Sequence, residues 1–131
     1  MANTAAANVT NNDAQRVRAF LQALEMRNLA EAEAFLAPGA VMQFPDAPPM
    51  YRLSELVDWA KNRYHHVQKT FHAIDSVINE NHTLVFCHGE LSVEWLDGST
   101  FTGVRFIDRF ELTDGLITRQ DVWNDLALIR R

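Results

Sequence analysis

The stretch from Thr100 to Asn124 limits the fold most, because it contains the clearest period-2 pattern in the chain. From Val104 to Leu112 every second residue is apolar except Asp108, and the residues between them are charged except Ile107. This alternation predicts a half-buried β-strand with one apolar face. Turn residues follow, and a second strand is predicted from Leu116. Asp108 therefore lies on the face that otherwise packs against the core.

The length of this last turn decides which residues lie beside Asp108. With a two-residue Asp114-Gly115 turn, Asp108 would lie opposite Asp121, and two buried carboxylates would repel each other. With a three-residue loop that starts at Thr113, Asp108 lies opposite Gln120. The sequence favours the three-residue loop, because its glycine then takes the left-handed position after a type I turn. In that register three residues of the last strand line a pocket beside Asp108: Gln120, Val122 and Asn124.

Composition is that of an ordinary globular domain. The chain has 131 residues, of which 47% are hydrophobic and 22% are charged, so one domain with a sizeable core is expected. The net charge of −5 is spread along the chain, which argues against a nucleic-acid partner. A single cysteine, Cys87, excludes an internal disulfide framework. No apolar run is long enough for a membrane span, and the first residues do not resemble a secretory signal. Residues 1–11 are predicted to be a flexible tail, residues 12–131 one domain, and the location cytoplasmic.

Three helices followed by a long β meander are predicted, which is an α+β pattern. The first helix is predicted from a cap at Asn12 or Asp13 to about Arg27. The second is short and runs from Asn28 to Pro38-Gly39. The third begins at Ser54 and includes Tyr64 and Val67. The strands are predicted at Ala40–Phe44, Thr70–Ile78, Thr83–Trp95, Thr100–Leu112 and Leu116–Asn124.

The order of three segments, QRVRAFLQAL, FLAPGAVMQF and FIDRFELTDGLITRQDVWND, resembles the SnoaL-like branch of the nuclear transport factor 2-like superfamily. The resemblance covers about Asp13 to Asp125. It implies a cone-shaped domain, in which a curved antiparallel sheet and three N-terminal helices enclose a deep apolar pocket. Members of the superfamily are usually homodimers, so a homodimer is expected.

The superfamily's two best-known residue sets are incomplete in this chain. The ketosteroid isomerases use a tyrosine, a late-strand acid and an aspartate base, and the matching positions here are Phe20, Asp108 and Phe44. The limonene epoxide hydrolases hold a water with two aspartates and an arginine, and the nearest match here is His88-Gly89-Glu90 with Val122. The resemblance thus implies a pocket and one acid, Asp108.

Asp108 has two interpretations. A carboxyl group on an apolar face is desolvated, which favours its neutral form, and a neutral acid can donate a hydrogen bond to a substrate carbonyl. Alternatively, Asp108 is a structural residue bonded to a neighbour. His72 and His88 are the candidate proton acceptors. A two-residue Asp97-Gly98 turn would instead place His88 opposite Ile107 on the outer face of the sheet. A bulge in either strand would turn His88 to the inner face.

Two functions from different classes follow. The first is an isomerase, cyclase or hydratase that acts on an apolar cyclic carbonyl compound, and the second is a binding module for an apolar ligand without turnover. A structural dimerisation domain is a third reading if side chains fill the cone. Neither a cofactor nor a metal ion is predicted.

The predicted pocket residues are Phe20, Met42, Phe44, Tyr51 (after the proline loop, at the mouth), Trp59, Tyr64, Val104, Phe106, Phe110, Gln120, Val122 and Asn124. The predicted homodimer contact is the outer sheet face, with Ile107, Ile117 and Trp123.

Overall fold

The fold is α+β, with helices packed on one face of a curved five-stranded sheet that does not close. The computed structural model describes residues 2–129, and it describes side chains from residue 12 onwards. The elements are α1 (Ala2–Glu25), α2 (Leu29–Glu33), β1 (Leu36–Gln43), α3 (Leu53–Lys61), β2 (Tyr64–Ile78), β3 (Thr83–Trp95), β4 (Thr100–Thr113), β5 (Leu116–Asn124) and α4 (Leu126–Ile129).

The strands lie in the order β1-β5-β4-β3-β2. Strands β2 to β5 form an antiparallel meander, and β1 pairs with β5 in parallel at the edge. Alternate residues of β3 and β4 are buried, and helix α1 packs on that inner face: Phe20 meets Phe110 edge to face, with 6.1 Å between ring centroids. The core therefore lies between the helices and the concave side of the sheet.

The helix boundaries differ from the predictions at several points. Helix α1 begins at Ala2, before the predicted cap at Asn12 or Asp13; Met1 and the side chains of residues 2–11 lie outside the described part, so the flexibility of this segment stays a prediction. The cap at Asn28 is confirmed, because its side chain accepts a hydrogen bond from the Glu31 N–H. Pro38 lies inside β1 rather than at the end of a helix, and an edge strand tolerates proline because its free side needs no donor.

The third helix is shorter than predicted, and β2 is longer. Helix α3 ends at Lys61, and β2 starts at Tyr64 instead of Thr70. Residues 64–69 pair with β3, with Val67 opposite Val93 and Lys69 opposite Leu91. Long-range pairing thus outweighs the local helical pattern. As a result, Lys69 projects from a strand onto the inner face of the sheet.

The last hairpin has a two-residue turn, because Thr113 pairs with Leu116. The predicted three-residue loop is therefore wrong, and Asp108 lies opposite Val122 rather than Gln120. A bulge at Thr118, between the pairs Leu112–Ile117 and Glu111–Arg119, shifts the register by one residue.

This bulge also changes which side chains of β5 face inward. Ile117, Gln120 and Val122 are all buried, although a regular strand would put Ile117 on the face opposite to the other two. The assignment of Ile117 to the outer face is therefore wrong. The inward orientation predicted for Gln120 and Val122 is confirmed.

The β3–β4 hairpin reaches the predicted pairing by a different route. Its loop has three residues instead of the predicted two, because the Trp95 N–H donates a hydrogen bond to the Ser99 carbonyl. A register shift between Leu91 and Val93 offsets the longer loop. His88 consequently lies opposite Ile107 and Glu90 opposite Arg105, as predicted.

Candidate functional site

Two adjoining spaces lie between the helices and the inner sheet face. The larger, here the main pocket, has a volume of about 340 Å³. The smaller, here the inner cavity, has a volume of about 80 Å³. Both are lined by Phe44, Tyr64, Val67 and Lys69. The main pocket is further lined by Pro45, Asp46, Trp59, Arg63, Leu91, Phe106, Val122, Asn124, Leu126 and Ala127. The inner cavity is further lined by Leu21, Leu24, Glu25, Arg27, Leu56, Val57, Ala60, Phe71 and Gln120.

Aromatic rings form the wall of the main pocket. Phe44 and Trp59 meet edge to face with 5.5 Å between ring centroids, and the Arg63 guanidinium lies 4.6 Å from the Trp59 ring centre. On the sheet side, the Lys69 ammonium lies 5.1 Å from the centre of the Phe106 ring. Rings of this kind hold an apolar ligand, and the two cations supply polar contacts on opposite walls, Arg63 beside Trp59 and Lys69 beside Phe106.

Asp108 lies beneath Lys69 and is fully buried. The Lys69 Nζ lies 3.7 Å from Asp108 Oδ2, which is an ion-pair distance longer than a hydrogen bond. Burial raises the pKa of Asp108, while the charge of Lys69 and the nearby Gln120 amide oppose that rise. Asp108 is absent from the lining of both spaces. The group that faces the pocket is therefore Lys69, and Asp108 supports it from behind.

Several polar atoms around the inner cavity have no hydrogen-bond partner among the described residues. They are both oxygens of Asp108, both amide atoms of Gln120 and Glu25 Oε1. Leaving one such group unpaired costs about 1–3 kcal/mol, so native proteins usually satisfy them with water or a ligand. Both spaces are mostly apolar, and the unpaired polar atoms lie at Glu25 and Gln120 in the wall of the inner cavity and at Asp108 behind it.

Tyr64 contributes a further hydrogen-bonding group where the two spaces meet. Burial raises the pKa of its phenol, and the charges of Lys69, Arg27 and Arg63 oppose that rise. The phenol is therefore neutral at physiological pH and retains its proton. A hydroxyl in this state can donate a hydrogen bond to a ligand oxygen.

The two histidines predicted as partners of Asp108 lie on the other side of the sheet, so that prediction is wrong. The His72 side chain is 51% exposed and contacts Glu90 at 3.3 Å. His88 is exposed, and its ring lies 6.1 Å from that of His72. Because neighbouring residues of a strand point to opposite faces, the burial of Cys87 beside Asp108 places His88 outside.

The remaining predicted pocket residues divide into two groups. Phe44, Trp59, Tyr64, Phe106, Gln120, Val122 and Asn124 line the main pocket or the inner cavity. Phe20, Met42, Val104 and Phe110 are buried in the core and line neither space, which corrects the prediction for these four. They point inward as expected, but the packing of α1 against the sheet fills the space around them.

Tyr51 also differs from its prediction. It is 58% exposed and lines neither space, because Met42 and Met50 are joined by backbone hydrogen bonds and Met50, not Tyr51, is buried there. Pro45 and Asp46, from the start of the same proline loop, do line the main pocket. The loop therefore borders the pocket through its first residues.

Sequence reasoning missed Lys69, Arg63 and Glu25. Lys69 was not recognised as an inward-facing strand residue, because the strand was expected to start one residue later, at Thr70. The alternation Val67-Lys69-Phe71 is the signal that would have found it, since it puts a lysine between two apolar residues on one face. For Glu25 and Arg63 the sequence contains no comparable signal.

These features define a class of protein: an α+β cone whose concave face encloses an aromatic pocket with a partly buried lysine, backed by a buried aspartate and glutamine. A family model described as a SnoaL-like domain matches residues 17–120. The chain belongs to the SnoaL-like domain family.

Solved structures agree on the fold. An NTF2-like protein of unknown function from Burkholderia pseudomallei is 17% identical, with a TM-score of 0.72 over 90% of this chain and 94% of that one. TerC, co-crystallised with polyporic acid, is 14% identical, with a TM-score of 0.74 over 90% and 95%. An LEH-like epoxide hydrolase from M. tuberculosis is 18% identical, with a TM-score of 0.69 over 90% and 86%. No curated protein matches the chain. At these identities the likeness concerns the fold alone.

Two further observations concern residues 2–129. They include no helix that is long and apolar enough to cross a bilayer. They also include no cluster of three or more His, Cys, Asp or Glu side chains able to hold a metal ion. The cytoplasmic location stays a prediction.

Proposed function

We propose that the protein binds an apolar cyclic carbonyl compound in the main pocket and catalyses proton transfer on it, as an isomerase, cyclase or hydratase does. The volume and aromatic lining support a ligand of one or two rings. The observation that carries the proposal is the position of Lys69, whose ammonium group lies where the main pocket meets the inner cavity, 3.7 Å from a fully buried carboxyl. That TerC was co-crystallised with polyporic acid supports a small-molecule ligand for this fold.

The reaction needs a donor for the carbonyl oxygen. The Lys69 ammonium donates a hydrogen bond to that oxygen, and Asp108 holds Lys69 in place as a positioning residue. When a C–H bond beside the carbonyl breaks, its electron pair moves into an enolate and negative charge grows on the oxygen. A fixed cation in a dry site stabilises this charge more than it stabilises the neutral ketone, and so lowers the barrier.

The reaction also needs an acceptor for the proton that leaves carbon. Glu25 lines the inner cavity together with Lys69, so a C–H bond beside the carbonyl, at the edge of the main pocket next to Lys69, faces this cavity, and the Glu25 carboxylate takes the proton. Return of the proton to the same carbon gives exchange, and its return to a conjugated carbon gives isomerisation. Glu25 replaces His72 and His88, which lie on the outer face, as the proposed base.

Deuterium exchange at the carbon next to the carbonyl of 1-tetralone, followed by NMR in D2O, tests this function. The wild-type protein is expected to accelerate exchange above the buffer rate. Lys69→Met should lower the rate by about 10²-fold, and Glu25→Gln by about 10²-fold or more. Lys61→Gln is the matched control, because it removes one positive charge from an exposed position at the end of α3. Equal rates in the wild type and Lys69→Met would contradict the proposal.

A second candidate is binding of the same ligand class without turnover. It is favoured by the apolar walls and by the position of Asp108, whose carboxyl cannot contact a ligand in the main pocket. This function predicts tight binding of 1-tetralone with no acceleration of exchange.

A further inference from the structure

The inner cavity contains a buried amide that the main pocket lacks. Gln120 is 1% exposed and lines the cavity, and neither its amide nitrogen nor its amide oxygen has a partner among the described residues. Glu25 contributes a second unpaired buried oxygen to the same wall. Unpaired buried polar groups mark places where water or a ligand completes the hydrogen bonding.

The size of the cavity limits what can enter it. About 80 Å³ holds a few water molecules, but it is too small for a ring system. The cavity shares Phe44, Tyr64, Val67 and Lys69 with the main pocket, so a ligand whose rings lie among the aromatic residues can extend a small substituent past Lys69 toward Gln120. That substituent would displace water and must replace its hydrogen bonds.

The groups around the cavity select the kind of substituent. The lining carries charges of both signs, the Lys69 and Arg27 cations and the Glu25 carboxylate, so the charges alone select neither an anion nor a cation, and the unpaired Gln120 amide decides which group fits. A neutral group that both donates and accepts hydrogen bonds suits the Gln120 amide, which offers an N–H donor beside a carbonyl acceptor. A hydroxyl is the smallest group with both properties.

We propose that the inner cavity is a subsite for a hydroxyl group adjacent to the ligand's carbonyl, and that Gln120 is the residue that recognises it. The substrate class is then an apolar cyclic hydroxyketone: Lys69 donates to the ketone oxygen, and the amide of Gln120 hydrogen-bonds the neighbouring hydroxyl. This assignment rests on the proposed function, because it takes the carbonyl to lie at Lys69.

Calorimetric titration with three ligands of the same ring skeleton tests the subsite: tetralin, 1-tetralone and 2-hydroxy-1-tetralone. The wild-type protein is expected to bind the hydroxyketone about 10-fold more tightly than the ketone, as one added hydrogen bond allows. Gln120→Leu should reduce that preference to about 2-fold or less, whatever its effect on the binding of tetralin. Gln68→Leu is the control, because it removes the same amide from an exposed position on β2.

Gln120→Met keeps the length of the side chain and should lose the preference as Gln120→Leu does, so two variants guard against a local packing defect. Thermal unfolding of each variant shows whether it is folded. The subsite is rejected if the wild type does not prefer the hydroxyketone, or if both variants keep the preference. These outcomes are separate from failure of the proposed function: the binding preference needs no turnover, and exchange into 1-tetralone needs no hydroxyl.

Discussion

At the scale of single residues, Asp108 is the most unusual feature of the molecule. Its carboxyl is fully buried without a hydrogen bond, and its only ion-pair partner within the described residues is Lys69. Burial raises its pKa from the ordinary value of 3.8, against the opposing effect of Lys69. The folded state therefore keeps the proton of Asp108 up to a higher pH than the unfolded chain, which releases it near pH 4.

The raised pKa of Asp108 predicts the direction in which the stability of the protein changes with pH. As the pH rises above 3.8 and through the folded-state pKa, the wild-type protein loses stability, because the unfolded state releases the proton more readily. Asp108→Asn cannot ionise, so its free energy of unfolding relative to wild type should increase between pH 4 and pH 7. Urea denaturation across this range measures the difference. Asp58→Asn, at an exposed position, should show no such trend, and a difference for Asp108→Asn that stays flat or falls with pH would contradict the assignment.

The contact between Lys69 and Asp108 predicts energetic coupling between the two residues. Lys69→Met leaves the buried carboxyl without its cation, so it should destabilise the wild type more than it destabilises the Asp108→Asn background. Coupling of about 0.5–3 kcal/mol is expected for residues in direct contact. Chemical denaturation of the wild type, the two single variants and the double variant gives this value. Additive effects would show that the two groups do not interact.

At the scale of elements, the β2–β3 pair is shaped by the register shift between Phe71 and Ala73. Gly89 lies opposite Phe71, and a Cβ atom added to it would lie 1.9 Å from the Thr70 carbonyl oxygen. The close approach of the two backbones at this bulge therefore requires a residue without a side chain.

Gly89→Ala should accordingly destabilise the protein by about 1–3 kcal/mol, as forced overpacking does. Ser92→Ala, a small change on the same strand, is the control and should cost less than about 1 kcal/mol. Thermal and urea unfolding measure both. An alanine tolerated at position 89 without loss of stability would mean that β2 and β3 approach less closely than the structure indicates.

At the scale of the whole molecule, we propose that a second copy of the chain covers the outer sheet face. Ile107 and Trp123 pair across β4 and β5 and are 40% and 53% exposed. Charges of both signs, including Arg105 and Glu90, lie on the same face. An exposed apolar pair among charges of both signs is compatible with a two-fold symmetric dimer, in which the same patch of the two subunits is in contact. Ile117 takes no part, because it is buried in the core.

Trp123→Glu is expected to shift this dimer to monomer, because it places a charge at the centre of the apolar patch. Sedimentation equilibrium at micromolar concentration measures the change. Met26→Glu is the matched control, because it adds the same charge at an exposed apolar residue outside the proposed interface. Met26 is 74% exposed and lies just after α1, on the helical side of the sheet. A wild-type protein that is already monomeric would contradict the proposal.

The sequence by itself determined the fold class and the inward face of β4, because period-2 alternation is a local property of a strand. It identified Asp108 as a charged residue on an apolar face, because side-chain direction follows from position along a regular strand. It also placed Gln120 and Val122 inward, but through a three-residue loop that the structure does not have; the bulge at Thr118 gives them the same orientation.

Only the tertiary structure decided which residue stands beside Asp108. Lys69 reaches it because β2 begins at Tyr64 and pairs with β3, although the local pattern around residues 59–67 favours a helix. The bulge at Thr118, which places both Ile117 and Gln120 inside, has no clear local signal either. Both features arise from pairing between distant parts of the chain, and the free energy of that pairing exceeds the small local preferences that a sequence pattern records.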